Sequence, residues 1–410
     1  MKKFAALILA GLGLLNSCRK VDPIIADPLE LTITTLSEDF ICQPVTISDN
    51  TIGIVNKKNT TSLCNYDTNG HKIWQYVIDS LAVGSIGIPN VQHLDLKKDP
   101  QNNLLVTLIH VDPLIKYGIK MVKFDSNGQY LCQTSDSIHQ RDTIIMGTDT
   151  IPTSGLGRFT KIGSVCLSGG NYAFVSSLAV KSIDSTFIQM SIYNGSGVFV
   201  TDNYFKIPRV RSFISTYTTS ANILILVGTF SLAEPFIIAN DMSGNIIFDK
   251  SLGTTLILND AYFCQETSNG YYIISISYTN STNNLRGRIY NLSPTGQEIV
   301  LNDTDFDPNW IMLSMREISD GYLFCGFDTD VNLIKGVDWR TTFDTDTHRA
   351  LILKTGFGLT EAWHKIIEAN KNSAGAVSTG QGPISFFGGK YESSGKKIML
   401  VKLTNDGEIF

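Results

Sequence analysis

Charge is scarce in this chain. Only 17% of its 410 residues are Asp, Glu, Lys or Arg, below the roughly 25% usual for soluble domains. Acidic residues outnumber basic ones 38 to 33, which argues against the broad basic surface of a nucleic-acid binder. Proline is rare, at 12 residues. No stretch approaches the roughly 20 apolar residues of a membrane-crossing helix. Locally readable catalytic signatures are missing: there is no nucleophile elbow, no phosphate loop and no His-Glu-x-x-His. The seven cysteines include no Cys-x-x-Cys pair, which argues against a zinc ribbon. What is plentiful is hydrophobic residue, at 43%, and glycine, at 34. That is enough apolar matter for a large core and excludes wholesale disorder. Low charge with abundant Gly, Ser, Thr and Asn suits a β-rich chain with many tight turns.

The N-terminus reads as an export signal. Met1-Lys2-Lys3 is a short positive segment, and Phe4 to Leu15 is an apolar run too short to span a bilayer. Leu15-Asn16-Ser17-Cys18 follows and resembles the lipobox of bacterial lipoproteins, in which the cysteine is acylated and becomes the mature N-terminus. The resemblance implies a signal peptide over 1–17, a lipidated tether over 18–29 and one folded domain over 30–410. Loss of Lys2 and Lys3 with the signal takes the formal charge from −5 to −7. Asp22 is the single acid just after Cys18, where Bacteroidetes-type lipoproteins carry an acidic surface-export cluster, so the periplasmic and cell-surface sides of the outer membrane both stay open. Cys42, Cys64, Cys132, Cys166, Cys264 and Cys325 lie in apolar runs and read as buried free thiols.

The remaining chain repeats. An alternating segment, a turn ending in glycine and a second alternating segment recur, as in Tyr66-Asp67-Thr68-Asn69-Gly70-His71-Lys72-Ile73-Trp74 and Phe124-Asp125-Ser126-Asn127-Gly128. The final glycines are Gly70, Gly128, Gly197, Gly244, Gly296, Gly358 and Gly407. Asp or Asn opens such a turn by bonding its own backbone, and glycine takes the positive-φ position. Upstream of each lies a turn and an apolar strand, such as Asn269-Gly270-Tyr271-Tyr272-Ile273-Ile274. Seven copies of a four-stranded unit predict an all-β, seven-bladed β-propeller of antiparallel blades. The apolar strand is second from the centre, and the Asp-x-x-Gly turn joins the third strand to the outermost. The last copy has little room for an outer strand, and Leu29 to Leu36 is expected to complete that blade. A parallel β-helix is the structural alternative. The pattern resembles a broad group of bacterial propellers with "DSNGNELW"-type blades. Trp74 and Trp363 also resemble the tryptophan-docking turns of quinone-type propellers, although only two blades carry one.

Long connections fall on the face opposite the short turns, which is where a rigid scaffold usually carries function. Candidate partner- or ligand-face residues there are His139, Arg141, Trp310, Trp339, Arg340 and His348. An exposed Trp beside Arg stacks on a sugar or anchors a protein; the competing reading is that Trp310 and Trp339 pack the loops down. Asp303, Asp305 and Asp307 space oxygen ligands like a calcium loop but lack its glycine and distal glutamate, so solvated carboxylates are the default and no cofactor is required. Ser80, Ser137, Thr143 and Thr150 each follow Asp and precede an apolar residue, resembling the Bacteroidetes O-glycosylation sequon. These features predict a lipid-anchored outer-membrane propeller that acts as a non-catalytic interaction subunit of an envelope protein complex. A glycan-binding surface lipoprotein is the alternative, and a glycan hydrolase or lyase ranks behind it.

Overall fold

The alternating segments pair as antiparallel strands. The computed structural model describes residues 39–40, 45–57, 60–78, 91–99, 101–111, 117–137, 143–146, 149–152, 160–180, 184–209, 211–230, 234–252, 257–279, 285–300, 309–329, 348–367, 372–379, 384–392 and 395–408. These residues form an all-β propeller. Five sheets have four strands in chain order: β6–β9 (Val91–Lys98, Leu104–Val111, Tyr117–Phe124, Tyr130–Ser137), β12–β15 (Thr160–Cys166, Tyr172–Val180, Ser185–Tyr193, Phe199–Pro208), β16–β19 (Arg211–Thr218, Leu224–Phe230, Glu234–Asn240, Ile246–Ser251), β20–β23 (Ile257–Glu266, Tyr272–Thr279, Leu285–Leu292, Glu298–Val300) and β24–β27 (Trp310–Ile318, Gly321–Thr329, His348–Thr355, Glu361–Ile367). The last sheet has three: β28–β30 (Asn372–Thr379, Ile384–Glu392, Gly395–Leu403). A separate hairpin, β10–β11 (Thr143–Met146, Asp149–Pro152), rises from the long segment after β9.

Blades of four strands throughout are therefore not what forms. Six blades carry three or four strands, and the sheet that opens the described chain carries five: β1 (Asp39–Phe40), β2 (Val45–Ile47), β3 (Asn50–Lys57), β4 (Thr60–Tyr66) and β5 (Lys72–Val77). The reason is local. Asp39 and Phe40 face Asn56 and Val55, whereas Val45, Thr46 and Ile47 face Ile52, Thr51 and Asn50. β1 and β2 thus lie end to end along one edge of β3, as an inner strand in two pieces. The chain between them contains Pro44, which has no N–H to give a ladder. The last sheet has three strands among the described residues, which end in the turn after β30. Leu29 to Leu36, expected to complete that blade, lies outside the described residues.

One five-residue turn builds both kinds of short connection. Asp67 N–H donates to His71 O and Gly70 N–H to Asp67 O, while the Asp67 Oδ1 accepts the amides of Asn69 and His71 at 2.8 Å each. Asp125, Asn194, Asp241 and Ser293 repeat this pattern before an outer strand, and Asp99 repeats it between the inner two. The fourth residue of the turn has positive φ, from 78° to 87° at Gly70, Gly128, Gly197, Gly244, Gly296 and Gly407. One expectation is corrected here: in the turn from Gly356 to Thr360 the positive-φ residue is Leu359 (58°), not Gly358.

Apolar faces of neighbouring sheets meet in successive clusters. Tyr272, Ile274 and Tyr290 pack on Ile225, Val227 and Ile237 at one seam. Leu323, Cys325 and Ile352 pack on Phe386, Met399 and Val401 at another. Cys64 and Tyr66 of the first sheet meet Phe387, Ile398 and Leu400 of the last. That seam is reinforced where Ser385 Oγ donates to Thr68 O at 3.1 Å. Glycines at the turns allow a second layer of docking. A Cβ on Gly128 would fall 2.6 Å from the Trp74 ring of the preceding blade, and one on Gly407 would fall 2.8 Å from Trp363. Phe205 and Phe248 play the same part against Gly244 and Gly296.

Candidate functional site at the rim and mouth of the ring

The two ends of the blades differ. Several sequence candidates lie outside the described residues: Cys18, Ser80, His139, Arg141, Trp339, Arg340 and the calcium-like Asp303, Asp305 and Asp307. His348 opens β26, Ser137 closes β9, and Thr143 and Thr150 pair with Pro152 and Ile145 in the β10–β11 hairpin. Trp310 is only 6% exposed and belongs to a core cluster with Phe324, Leu351 and Leu353. Its ring lies 4.6 Å from that of His364 on the outer strand, and His364 Nδ1 is 2.8 Å from Glu361 Oε1. Trp310 therefore packs the blade and offers no open face to a sugar. Among the described residues there is no group of three or more His, Cys, Asp or Glu arranged to hold a metal ion. Cys64, Cys132, Cys166, Cys264 and Cys325 form no disulfide; Cys64, Cys132 and Cys325 are buried as expected, whereas Cys166 and Cys264 are half-buried. Burial pushes the Cys264 thiol up, with Glu266 adding to the effect, so it is a poor nucleophile.

Position in the blade explains Trp310. Arg211 occupies the matching place on β16: Arg211 faces Phe230 as Trp310 faces Asp328. Both lay a long side chain across the blade from innermost to outermost strand. Arg211 crosses Phe236 at 4.7 Å and reaches Asp249 with two hydrogen bonds of 2.9 and 2.5 Å. Trp310 reads as ligand-capable in sequence, yet it spans its own blade, as Arg211 does.

At the short-turn end two features stand out. The first is an apolar rim. Ile73 and Val77, Tyr130 and Leu131, Val198 to Val200, and Ile246 and Ile247 are 39–60% exposed. Apart from Val198, in the turn before β15, they sit on the outermost strands β5, β9, β15 and β19 of four consecutive sheets, and most stand just past the turn glycine. Single exposed apolar residues are ordinary, but a repeated band marks an interaction surface. The outermost strands also present an unpaired backbone edge among the described residues, and such edges accept other chains.

The second feature is the channel mouth. Inner strands end here, and register makes Lys98, Glu266 and Glu317 equivalent, since they face Leu104, Tyr272 and Tyr322. Glu266 accepts the Ser220 amide at 2.7 Å, and Glu317 accepts the Ser268 amide and hydroxyl at 2.8 and 2.5 Å. Each carboxylate thus clamps the turn of the preceding blade. Lys98 brings the opposite charge to the same position. One residue earlier, Lys97 and Arg316 are equivalent. Lys97 Nζ donates to Ser164 O and Thr216 O at 2.5 and 3.2 Å. Arg316 instead reaches Asp49, at 3.5 Å, in the turn after β2. Sequence reading missed Lys98, Arg316 and Asp49. Nothing local marks them, and Arg316 meets Asp49 only across the ring.

No protein-family model matches this chain, and no curated protein matches it. Solved structures do share the fold. The chain resembles a polysaccharide lyase, the ulvan lyase of family PL25, at 8% identity with a TM-score of 0.50, covering 92% of this chain and 95% of that one. A Hadza microbial sialidase matches at 11% identity and TM-score 0.43, over 85% and 74% of the two chains. The β-propeller domain of the trilobed protease from Pyrococcus furiosus matches at 11% identity and TM-score 0.41, over 78% and 83%. Likeness at this level of identity speaks to the propeller fold alone.

Proposed function

We propose that this chain is an exported, lipid-anchored propeller that serves as a non-catalytic interaction subunit of an outer-membrane protein complex, docking through the apolar rim. The rim carries the reading: exposed Ile73, Leu131, Phe199 and Ile247 repeat around four consecutive outer strands. The occupant is a protein rather than a lipid surface. Carboxylates of Asp67, Asp125 and Asp241 sit at the turn tips beside these residues, so a membrane pressed onto this end would have to desolvate charge before reaching apolar surface. Lipidation at Cys18 rests on the lipobox resemblance. The ring itself reads as seven blades, with the five-stranded sheet as the first and β1 and β2 as its broken inner strand.

The test is purification of the full-length lipoprotein from its own membranes in mild detergent, with partners read by mass spectrometry. A stoichiometric outer-membrane partner is expected, and it should be lost from Phe199→Glu and Ile247→Glu variants that keep the wild-type melting temperature. A chain that runs alone, or a partner indifferent to both substitutions, refutes docking through the rim. Lipidation has its own test: Cys18→Ser should lose palmitate labelling and leave the membrane fraction. The glycan-binding alternative retains Trp339 and Arg340 as candidates, without Trp310.

A further inference from the structure

The chain holds four Asn-Gly pairs: Asn69-Gly70, Asn127-Gly128, Asn194-Gly195 and Asn269-Gly270. In such a pair the backbone nitrogen of the second residue can attack the asparagine carboxamide carbon and close a cyclic imide. Glycine favours this because it has no Cβ to hinder its nitrogen and its backbone turns freely. The fold treats the four pairs differently. Asn69, Asn127 and Asn269 are third residues of their turns, and the glycine after each is the fourth. Those glycine amides donate to Asp67 O, Asp125 O and Thr267 O at 3.0, 3.0 and 2.9 Å, and the glycines are fixed at φ 79–80°. A nitrogen committed to a turn bond is a poor nucleophile.

Asn194 is instead the first residue of its turn, so its glycine is second. The two backbone bonds of that turn run from Asn194 N–H to Val198 O and from Gly197 N–H to Asn194 O, and neither uses the Gly195 amide. Gly195 is exposed, so solvent base reaches its nitrogen. Asn194 Oδ1 accepts the Ser196 and Val198 amides at 3.0 Å each. The first of these bonds folds the carboxamide back over the Gly195 peptide. Both aim N–H groups at the oxygen that gains negative charge when the carboxamide carbon is attacked, as in an oxyanion hole. The equivalent residues Asp67, Asp125 and Asp241 are carboxylates, which resist such attack, and Ser293 has no carbonyl in its side chain.

We propose that Asn194 is a self-modification site, converted to aspartate through a cyclic imide with water as the co-reactant. The Gly195 nitrogen bonds to Asn194 Cγ and gives its proton to solvent base. The Cγ–Nδ2 bond breaks, and Nδ2 leaves as ammonia after taking a proton from water. Water then adds at Cγ and reopens the bond to the Gly195 nitrogen, which regains its proton. A carboxylate is left at position 194. Asp67, Asp125 and Asp241 accept the same pair of amides with a carboxylate, so the turn accommodates this product. The new charge stands beside Val198, Phe199 and Val200 of the rim. The reaction itself does not depend on the docking proposed above.

The test is incubation of the folded full chain in mildly alkaline buffer made with heavy-oxygen water, followed by peptide mapping. Mass spectrometry reads the exchange of ammonia for labelled oxygen at each Asn-Gly pair. Asn194 should convert at least about tenfold faster than Asn69, Asn127 and Asn269, a part of what one aligned oxyanion donor supplies. In urea the four should react at similar rates, because only the shared Asn-Gly sequence remains. A folded chain in which Asn194 is no faster than the other three overturns the proposal. Isoaspartate should accompany aspartate at position 194, since an imide opens at either carbonyl; aspartate alone marks direct hydrolysis and overturns the route. Gly195→Ala puts a methyl group on the attacking residue, 3.3 Å from Gly170 O, and should slow the folded-state reaction severalfold; an unchanged rate removes the Gly195 nitrogen as nucleophile. The comparison among the four pairs is internal to the wild-type chain, so it stays decisive if that variant does not fold.

Discussion

Replacing Gly128 with alanine tests how the blades are held together. Two costs fall on that one methyl group. The backbone sits at φ 80°, where an L-residue is strained by about 1–2 kcal/mol. The new Cβ would also lie 2.6 Å from Cδ2 and Cε3 of Trp74, so the indole must move. Overpacking of that kind costs about 1–3 kcal/mol, giving about 2–5 kcal/mol in total. Gly270 supplies the control. Its φ is 79°, but its nearest neighbour would be Pro294 Cγ at 4.0 Å. Gly270→Ala should therefore cost only the backbone strain, about 1–2 kcal/mol. Urea midpoints of the two variants, compared at equal m-value, separate the terms. The double variant Trp74→Leu with Gly128→Ala should recover the steric part, a coupling of about 1–3 kcal/mol. Equal losses for Gly128→Ala and Gly270→Ala would refute docking of Trp74 on the turn. So would a Gly128→Ala cost that Trp74→Leu leaves unchanged.

Leu359 holds positive φ yet is fully buried among Phe263, Ile273 and Leu353. Leu359→Gly should relieve about 1 kcal/mol of strain and lose about 2–5 kcal/mol of packing, a net fall in melting temperature; a rise would show that packing does not select leucine there. The Asp241 carboxylate is held below its usual range by the Asn245 side chain and by the amides of Asn245 and Ser243. A depressed folded pKa gives stability that is present above the unfolded value of about 3.9 and lost as pH falls through the folded value. Asp241→Asn should therefore be less stable than wild type at pH 7, with the gap closing as pH falls below the unfolded value of about 3.9 and through the depressed folded value; a gap that widens in acid contradicts this. Asn194 makes the same two amide bonds without a charge, so the turn itself should survive the change. Arg211 is buried with Asp249. Asp249→Leu should strand its guanidinium at a cost of about 3 kcal/mol, the low end for a buried pair because Asp249 is one-third exposed. Arg211→Met with Asp249→Leu should recover most of that loss in the same unfolding assay.

The turns and strands were legible because their chemistry is local. Asp67 reaches only to Asn69 and His71, and Gly70 answers a demand of its own φ. Period-two alternation then identifies the strands on either side, and apolar strands such as β13, β17, β21 and β25 lie where the repeat puts them. The blade count of strands was less legible at the chain's ends, where β1 and β2 share one edge of β3. The Leu359 turn was misassigned to Gly358 because glycine suits positive φ by default, while the choice of leucine comes from a buried site filled by residues of another blade.

The candidate sites divide along the same line. Sequence alone determined where the chain turns and which residues alternate, since those depend on neighbours within five positions. It marked Trp310 as a conspicuous aromatic near a long loop, but its burial depends on how the side chain lies across β24 to β27. The rim of Phe199, Ile246 and their counterparts emerged only when successive outer strands were aligned around the axis. Lys98, Arg316 and Asp49 belong to three different blades, and each looks like an ordinary surface residue in its own repeat. Only closure of the ring brings Arg316 to Asp49, because an ion pair depends on distance in space and not along the chain.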